Sequence, residues 1–461
     1  MAAAFPSGWR AAAQSLFRAA IDAVDPASLV CQALSRQGSQ AVVHAPDHEH
    51  RFDLPLLVVG AGKAAARMAA GCEAVLGANN VYGEVIVADG CGWPLESIVV
   101  SQAGHPLPDR RGFEASGRLL TLLRGSQRGA LCLISGGASS LLVRPRPPVS
   151  LEEKILTTQL LLDSGADIHE INPIRKHLSE AKGGGFLRYA AGPIVGLIIS
   201  DVVGDEISTI GSGPTAADCS TFADAWAVLQ RYHLTARVPP SVVTLLERGM
   251  AGELTETVKP QNPEAMKGGN LIIGSNRHAL AGAARAAQAL GWQIQVESYP
   301  MQGDTASAAR TFGASIKQAA ATTREPVCIL AGGETTVQVT GSGRGGRNQE
   351  FALHLVSEVA GLSIGVLSAG SDGVDGPTDA AGAFVDGTTL DRARAAGLDS
   401  IEALKQNDSY TFFSRLGDLF QCGPTGTNVT DLKIALLYPP SRRFNPQSSS
   451  FDSKVLPRKV K

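Results

Sequence analysis

Two stretches of this 461-residue chain carry side chains suited to handling a polyanion. In residues 332–350, Glu334 precedes Arg344 and Arg347, which stand among Gly341, Gly343, Gly345 and Gly346. Asn348 and an apolar-periodic run (FALHLVSEVA) follow. Guanidinium forks match phosphate or carboxylate oxygens. Glycines free the backbone to adopt positive φ and turn N–H groups toward an anion. Further on, residues 371–379 (SDGVDGPTD) gather Asp372, Asp375 and Asp379 at the end of an apolar strand. Arginines for oxyanions beside aspartates for a hard cation point to phosphoryl transfer. A tight hairpin with solvated charges is the plainer alternative.

A lysine with the same chemistry follows the first buried-strand pattern. LPLLVV (54–59) runs into Gly60-Ala61-Gly62-Lys63 and an alanine-rich helix. A cation in a helix's first turn opposes the helix dipole, so Lys63 reads as a phosphate ligand. The spacing is not a Walker A loop, because no Ser or Thr follows the lysine. G-x-G-x-x-A after a strand is also a dinucleotide fingerprint, and Asp89, closing EVIVAD, would be its ribose acid. Two further strands end in comparable turns. ALCLIS leads to Ser135-Gly136-Gly137-Ala138-Ser139, and PIVGLIIS leads to Asp201 and Asp205, then Ser212-Gly213. Backbone amides after Gly136, Gly213 and Gly345 are predicted to cradle nucleotide phosphates, and Asp201, Asp205 and Asp375 are candidate metal ligands.

The elements that must position these groups alternate strand, turn and helix. That pattern specifies an α/β protein whose first sheet is parallel and doubly wound, with ligands beyond the strands' carboxyl ends. A polar, Pro/Gly-containing stretch at 259–269 is the expected linker, giving domains at 1–260 and 270–438. Leu16, Phe17, Ile21 and Val24 recur at helical spacing and predict a core-docked first helix. Ser150-Leu151-Glu152-Glu153 is a capping box. Residues 439–461, with little to bury, read as a disordered tail.

Composition bounds the partners. A net charge of −2 gives no reason to expect nucleic acid, and no apolar run reaches membrane-spanning length. Seven scattered cysteines without C-x-x-C spacing predict reduced thiols and a cytoplasmic setting. A homodimer is compatible with the sequence, which does not fix oligomeric state.

Several blocks together resemble the glycerate 2-kinase family that ends in a MOFRL domain. They are GAGKAAARM (60–68), SGGASSLL (135–142), NPIRKHLSEAKGGG (172–185), SDVVGDEISTIGSGPT (200–215), IIGSN (272–276), GGETTVQVTGSGRGGRNQE (332–350), SAGSDGVDGPTDAAGA (368–383), NDSYTFF (407–413) and GPTGTNVTDL (423–432). The resemblance implies a second, smaller three-layer α/β domain, an active site in the interdomain cleft, ATP and Mg²⁺ as reactants, and D-glycerate as acceptor. The family's proposed catalytic lysine, arginine and aspartate match Lys63, Arg347 and Asp372. Gly60, Gly62, Ser135, Gly136, Gly137, Ser139, Ser212, Gly213, Gly345, Gly346 and Asn348 are then nucleotide- or phosphate-binding candidates. Arg175, Asn276, Glu334 and Asn428 are substrate or accessory candidates. Ala138-Ser139 departs from the Gly-Ser of many members. The alternatives are an NAD(P)H-dependent hydroxypyruvate reductase, drawing on Gly60, Gly62, Ala65 and Asp89, and a non-catalytic nucleotide-binding module.

Overall fold

A computed structural model describes residues 8–439, so the tail expected from 439 onward lies outside the described residues except for Pro439. Strands β1 (Leu34–Gln37), β2 (Gln40–His44) and β3 (Glu49–Asp53) form a small antiparallel sheet. Strands β4 (Leu56–Ala61), β5 (Val81–Ala88), β6 (Ile98–Ala103), β7 (Ala130–Ile134), β8 (Ile194–Ile199) and β9 (Gly268–Gly274) form a parallel sheet in the order β6-β5-β4-β7-β8-β9. Every residue of β4, β7 and β8 is buried, as parallel strands covered on both faces must be. The order reverses between β4 and β7, and such a switch point opens a ligand crevice at the strands' carboxyl ends. Lys63 and the Ser135–Ser139 turn lie there.

The expected linker does not lead straight into a second sheet. It passes through a short 3₁₀ turn (Pro263–Lys267) into β9, which pairs parallel with β8 from Ile194↔Gly268 onward. Strand β9 covers what would otherwise be an exposed edge of β8. The first sheet is therefore complete only after residue 274, past the boundary at 260 that the polar stretch suggested.

The second sheet is mixed. Strands β10 (Gln293–Val296), β11 (Met301–Asp304), β12 (Val327–Thr336), β13 (Ile364–Gly370), β14 (Gly382–Asp386), β15 (Leu419–Phe420) and β16 (Asp431–Leu437) take the order β10-β12-β16-β13-β14-β15, with β11 also on β12. The helices Thr305–Thr322 and Arg347–Glu358 cover one face. Helix Asn276–Ala289 and the first helix, Trp9–Asp22, cover the other. The predicted docking of that first helix is realised on the C-terminal sheet, where Trp9 meets Phe384 edge-on at 5.5 Å and Phe17 meets Phe420 at 5.1 Å. The same apolar core continues to Val58, Leu133 and Leu197 of the first sheet. One core thus joins the two sheets, and the turn after β8 lines a cleft together with Gly332 and Gly333 of β12.

Candidate active site

Gly62 makes the first half of the site possible. Its φ is +135°, and a Cβ there would lie 2.2 Å from the Ser135 hydroxyl. The backbone passes so close that Lys63 N–H donates to the Gly136 carbonyl at 2.8 Å, and Ala64 N–H donates to Ser135 Oγ at 3.1 Å. Lys63 is thereby fixed by the turn after β7, and Ser135 serves that backbone contact. Gly62→Ala should cost roughly 1–3 kcal/mol, from strained φ and the displaced turn. Chemical denaturation checks this; an unchanged midpoint would show that the turn has room to give.

Asp201, just beyond β8, reaches the same place, since a Cβ on Gly136 would meet its Oδ2 at 2.6 Å. Burial raises the Asp201 carboxyl above its ordinary pKa, against the opposing charge of Lys63 and the amide of Gly137. His105 closes this corner beside Gly137, and burial, then Lys63, lowers its pKa. A neutral imidazole at neutral pH follows.

Arg347 anchors the second half. Its Nε and Nη2 donate to the two oxygens of Asp431 at 2.8 and 3.0 Å, and Nη1 meets Glu334 at 2.8 Å. The Asp431 side chain is wholly buried. Burial alone would raise its pKa, but Lys433 and Arg347 hold it below the ordinary value. Lys433, in the middle of β16, is equally buried and bonds the Asn348 side-chain oxygen. Asn348 also accepts from Ser368 at 3.1 Å and, with Gln349, donates to both oxygens of Asp375. Asp375 anchors the N-terminus of helix Arg347–Glu358, and burial raises its pKa. Its oxygens already accept from that helix's N–H groups, so Asp375 acts as a helix anchor rather than a metal ligand. Asn348 likewise is internal scaffolding, not a phosphate contact.

Glu334 joins the halves. Partial desolvation raises its pKa although 43% of the side chain is exposed; Arg347 opposes the shift, and the charges of Asp431, Asp201 and Asp372 add to it. Asp201 comes from the first sheet and Asp372 from the end of β13, and the charges of both reach Glu334. Lys63 and Asp201 on one side and Glu334, Arg347 and Asp372 on the other thus act on one another electrostatically. Asp372 is half-buried, and its Oδ1 accepts from Val374 N–H at 3.1 Å.

Other candidates are elsewhere or otherwise engaged. Asp205 sits at φ +58° and pairs with Arg277 at 3.3 Å, a turn residue not among those groups. Among the described residues no three His, Cys, Asp or Glu side chains converge as a ready-made metal cage. Gly345 and Gly346 do not adopt positive φ, nor do Gly341 and Gly343. They are small because the chain runs tightly past its neighbours: a Cβ on Gly345 would meet Ser409 Oγ at 2.1 Å, and one on Gly346 would meet the Asp375 carboxyl at 2.4 Å. The anion nest expected there is a packing device. Ser139 and Ser212 do come together, their hydroxyls 3.0 Å apart, beside the left-handed Gly213. Asn276 donates to Val429 O, Thr430 Oγ1 and Asp431 O, each at 3.0 Å, strapping its helix to β16. Asn428 caps Thr430 N–H at 3.1 Å. Gly60 lies in β4, where a Cβ would strike the Leu133 carbonyl. Asp89, the ribose acid of the dinucleotide reading, is held by both nitrogens of Arg111 at 2.8 Å.

Asp431, Lys433 and His105 were not identified from sequence. Lys433 carried a usable signal, a lysine inside an apolar strand (KIALLY), which demands a buried counter-charge.

Residues 12–247 match a family described as a domain of unknown function (DUF4147), and residues 327–431 match the MOFRL family. The chain is 39% identical to a "Glycerate 2-kinase" of Pyrococcus horikoshii over 91% of this chain and 95% of that one. It is 37% identical to a "D-glycerate 2-kinase" of Thermotoga maritima over 90% and 99%. With a human "Glycerate kinase" it shares 40% identity over 93% of each. The crystal structure of a Thermotoga maritima glycerate kinase superposes with a TM-score of 0.82 at 35% identity, covering 94% of this chain and 100% of that one. A Pyrococcus horikoshii OT3 structure gives 0.81 at 38%, covering 95% and 100%. The fold, the order of the motifs and these matches along nearly the whole length agree: the chain belongs to the glycerate kinase family.

Proposed function

We propose that the protein transfers the γ-phosphoryl group of ATP to the 2-hydroxyl of D-glycerate, giving 2-phosphoglycerate and ADP, with Lys63, Arg347 and Asp372 as its catalytic residues. One observation carries the reading: residues flanking Asp201 (Ser200, Val202) and residues preceding Glu334 (Gly332, Gly333) line one cavity between the sheets, and Glu334 holds Arg347. Cations and acids from two sheets thus address one space, as transfer between two anionic reactants requires.

The acceptor oxygen forms the new bond to phosphorus while the bond to the β-phosphate oxygen breaks. Asp372 takes the hydroxyl proton, and Lys63 and Arg347 offset the charge on the transferring group. Arg347 is held by Asp431 in a fixed orientation, so little reorganisation is needed. Glu334, the more exposed of its two partners, gives way to an incoming anion. Mg²⁺ fits this donor set, because it is commonly bound by one or two carboxylates together with substrate phosphates. Asp201 would hold it, leaving Asp372 to take the proton, and the ion would neutralise phosphate charge.

Phosphorus NMR of the product made from D-glycerate and ATP tests the proposal. The expected product is 2-phosphoglycerate. A 3-phosphoglycerate signal would move the acceptor hydroxyl, and absence of ADP formation alongside NADH oxidation with hydroxypyruvate would replace the kinase with a reductase.

A further inference from the structure

Beside the Gly137 turn lies a cavity of about 360 Å³, within the usual range for small-molecule sites. Its chemistry differs from that of the cleft. Lys154, Arg175 and Lys182 line it together, and no Asp or Glu does. Lys154 is only 6% exposed and Lys182 only 3%. Lys182 Nζ donates to the Ser139 carbonyl at 2.6 Å, while the best partner of Lys154 is the Leu178 carbonyl at 3.5 Å.

Two buried ammonium groups and a guanidinium sharing one space without counter-charge repel each other and forgo water. Burial, then the Arg175 charge, brings Lys154 down to about 7. Burial, Lys154 and Arg175 take Lys182 well below the usual lysine value. Burial lowers Arg175 as well. Such a cluster is consistent with a multiply charged anion as ligand. A carboxylate would neutralise one of the three cations, whereas a triphosphate can meet them all. Leu107, Ile155 and Leu162 supply an apolar wall to the same cavity. The cavity also adjoins the catalytic lysine, since Gly137 lines it and a Cβ there would lie 3.5 Å from Lys63 Cγ.

Building on the kinase reading above, we propose that this cavity holds the polyphosphate of the nucleoside triphosphate donor. Lys154, Arg175 and Lys182 are its anion ligands, the apolar wall takes the nucleoside, and the terminal phosphoryl group points toward Lys63.

Calorimetric titration of the full-length enzyme with AMP-PNP, beside steady-state kinetics, tests the assignment. Lys154→Met and Arg175→Gln keep side-chain bulk and remove charge. Each should weaken AMP-PNP at least about tenfold and raise the KM for ATP, while the KM for D-glycerate stays near that of the unmodified enzyme. Melting temperatures should hold or rise, because repulsion is relieved. At pH 8, wild-type binding should take up a proton as Lys154 becomes charged, and Lys154→Met should reduce that uptake; His105 and Lys182, the other titratable groups facing it, remain in the variant. Unchanged AMP-PNP affinity in both variants overturns the proposal. A rise in the D-glycerate KM alone also overturns it, by giving the cavity to the acceptor. Should Arg175→Gln fail to fold, Lys154→Met decides. Should the wild type not phosphorylate D-glycerate, the AMP-PNP titrations still report on the cavity, so the two readings fail separately.

Discussion

Lys63→Ala should lower kcat for ATP-dependent phosphorylation of D-glycerate by at least a hundredfold while leaving the fold intact. The lysine's backbone is fixed through Gly62 and the Gly136 carbonyl, so its ammonium is delivered to a set position beside Asp201 and the Gly137 turn. A preorganised charge aimed at a developing oxyanion is worth roughly 2.7–4 kcal/mol of barrier, judged from the removal of single oxyanion donors. The structural contacts here are made by the main chain, which alanine retains. Thermal unfolding of the variant should therefore stay close to wild type, within the ~0.5 kcal/mol usual for substitutions away from packed features. Lys63→Arg should recover only part of the rate, since a planar fork does not reproduce a compact ammonium. Near-normal turnover of the alanine variant would remove Lys63 from the reaction.

The first sheet was far more legible in the sequence than the second half of the site, for physical reasons. Apolar runs such as PIVGLIIS state their own burial, and a glycine between such a strand and a helix marks a turn whatever the tertiary context. Gly62 and Gly137 therefore read correctly. Gly341–Gly346 has the same composition for another reason: close approach to residues 406–409 and to Asp375, which no local pattern reveals. Pairings over long separations are equally silent. Arg347 and Asp431 are 84 positions apart, and Asp431 appeared only as the end of a turn-rich block. The first helix announced an apolar stripe but not the sheet that would receive it. Lys154, Arg175 and Lys182 gather from separate elements, and each alone reads as an ordinary basic residue.

Arg347→Ala should lose activity by at least a hundredfold and, unlike the lysine variant, lose stability as well. Removing the guanidinium takes both of its hydrogen bonds from the fully buried Asp431 carboxylate, leaving Lys433 as its remaining counter-charge, and leaves Glu334 among like charges. Breaking a buried pair by deleting one partner costs about 3–5 kcal/mol; the lower end applies, because Arg347 keeps a third of its side chain in solvent. The pH dependence follows from the depressed pKa of Asp431. Its stabilisation is complete above the ordinary aspartate value of about 3.9 and is lost as acid takes the pH through the lower, folded-state value. Without Arg347 that pKa rises, so the variant should begin losing stability at higher pH than wild type. Thermal melting as a function of pH measures both effects. Adding the double variant Asp431→Asn/Lys433→Met to Arg347→Ala separates structure from catalysis: removing the whole buried charge set should recover much of the lost stability but none of the lost rate. If the triple variant regained turnover along with its melting temperature, Arg347 would be a brace for the scaffold and the phosphoryl group would have to find its second cation elsewhere.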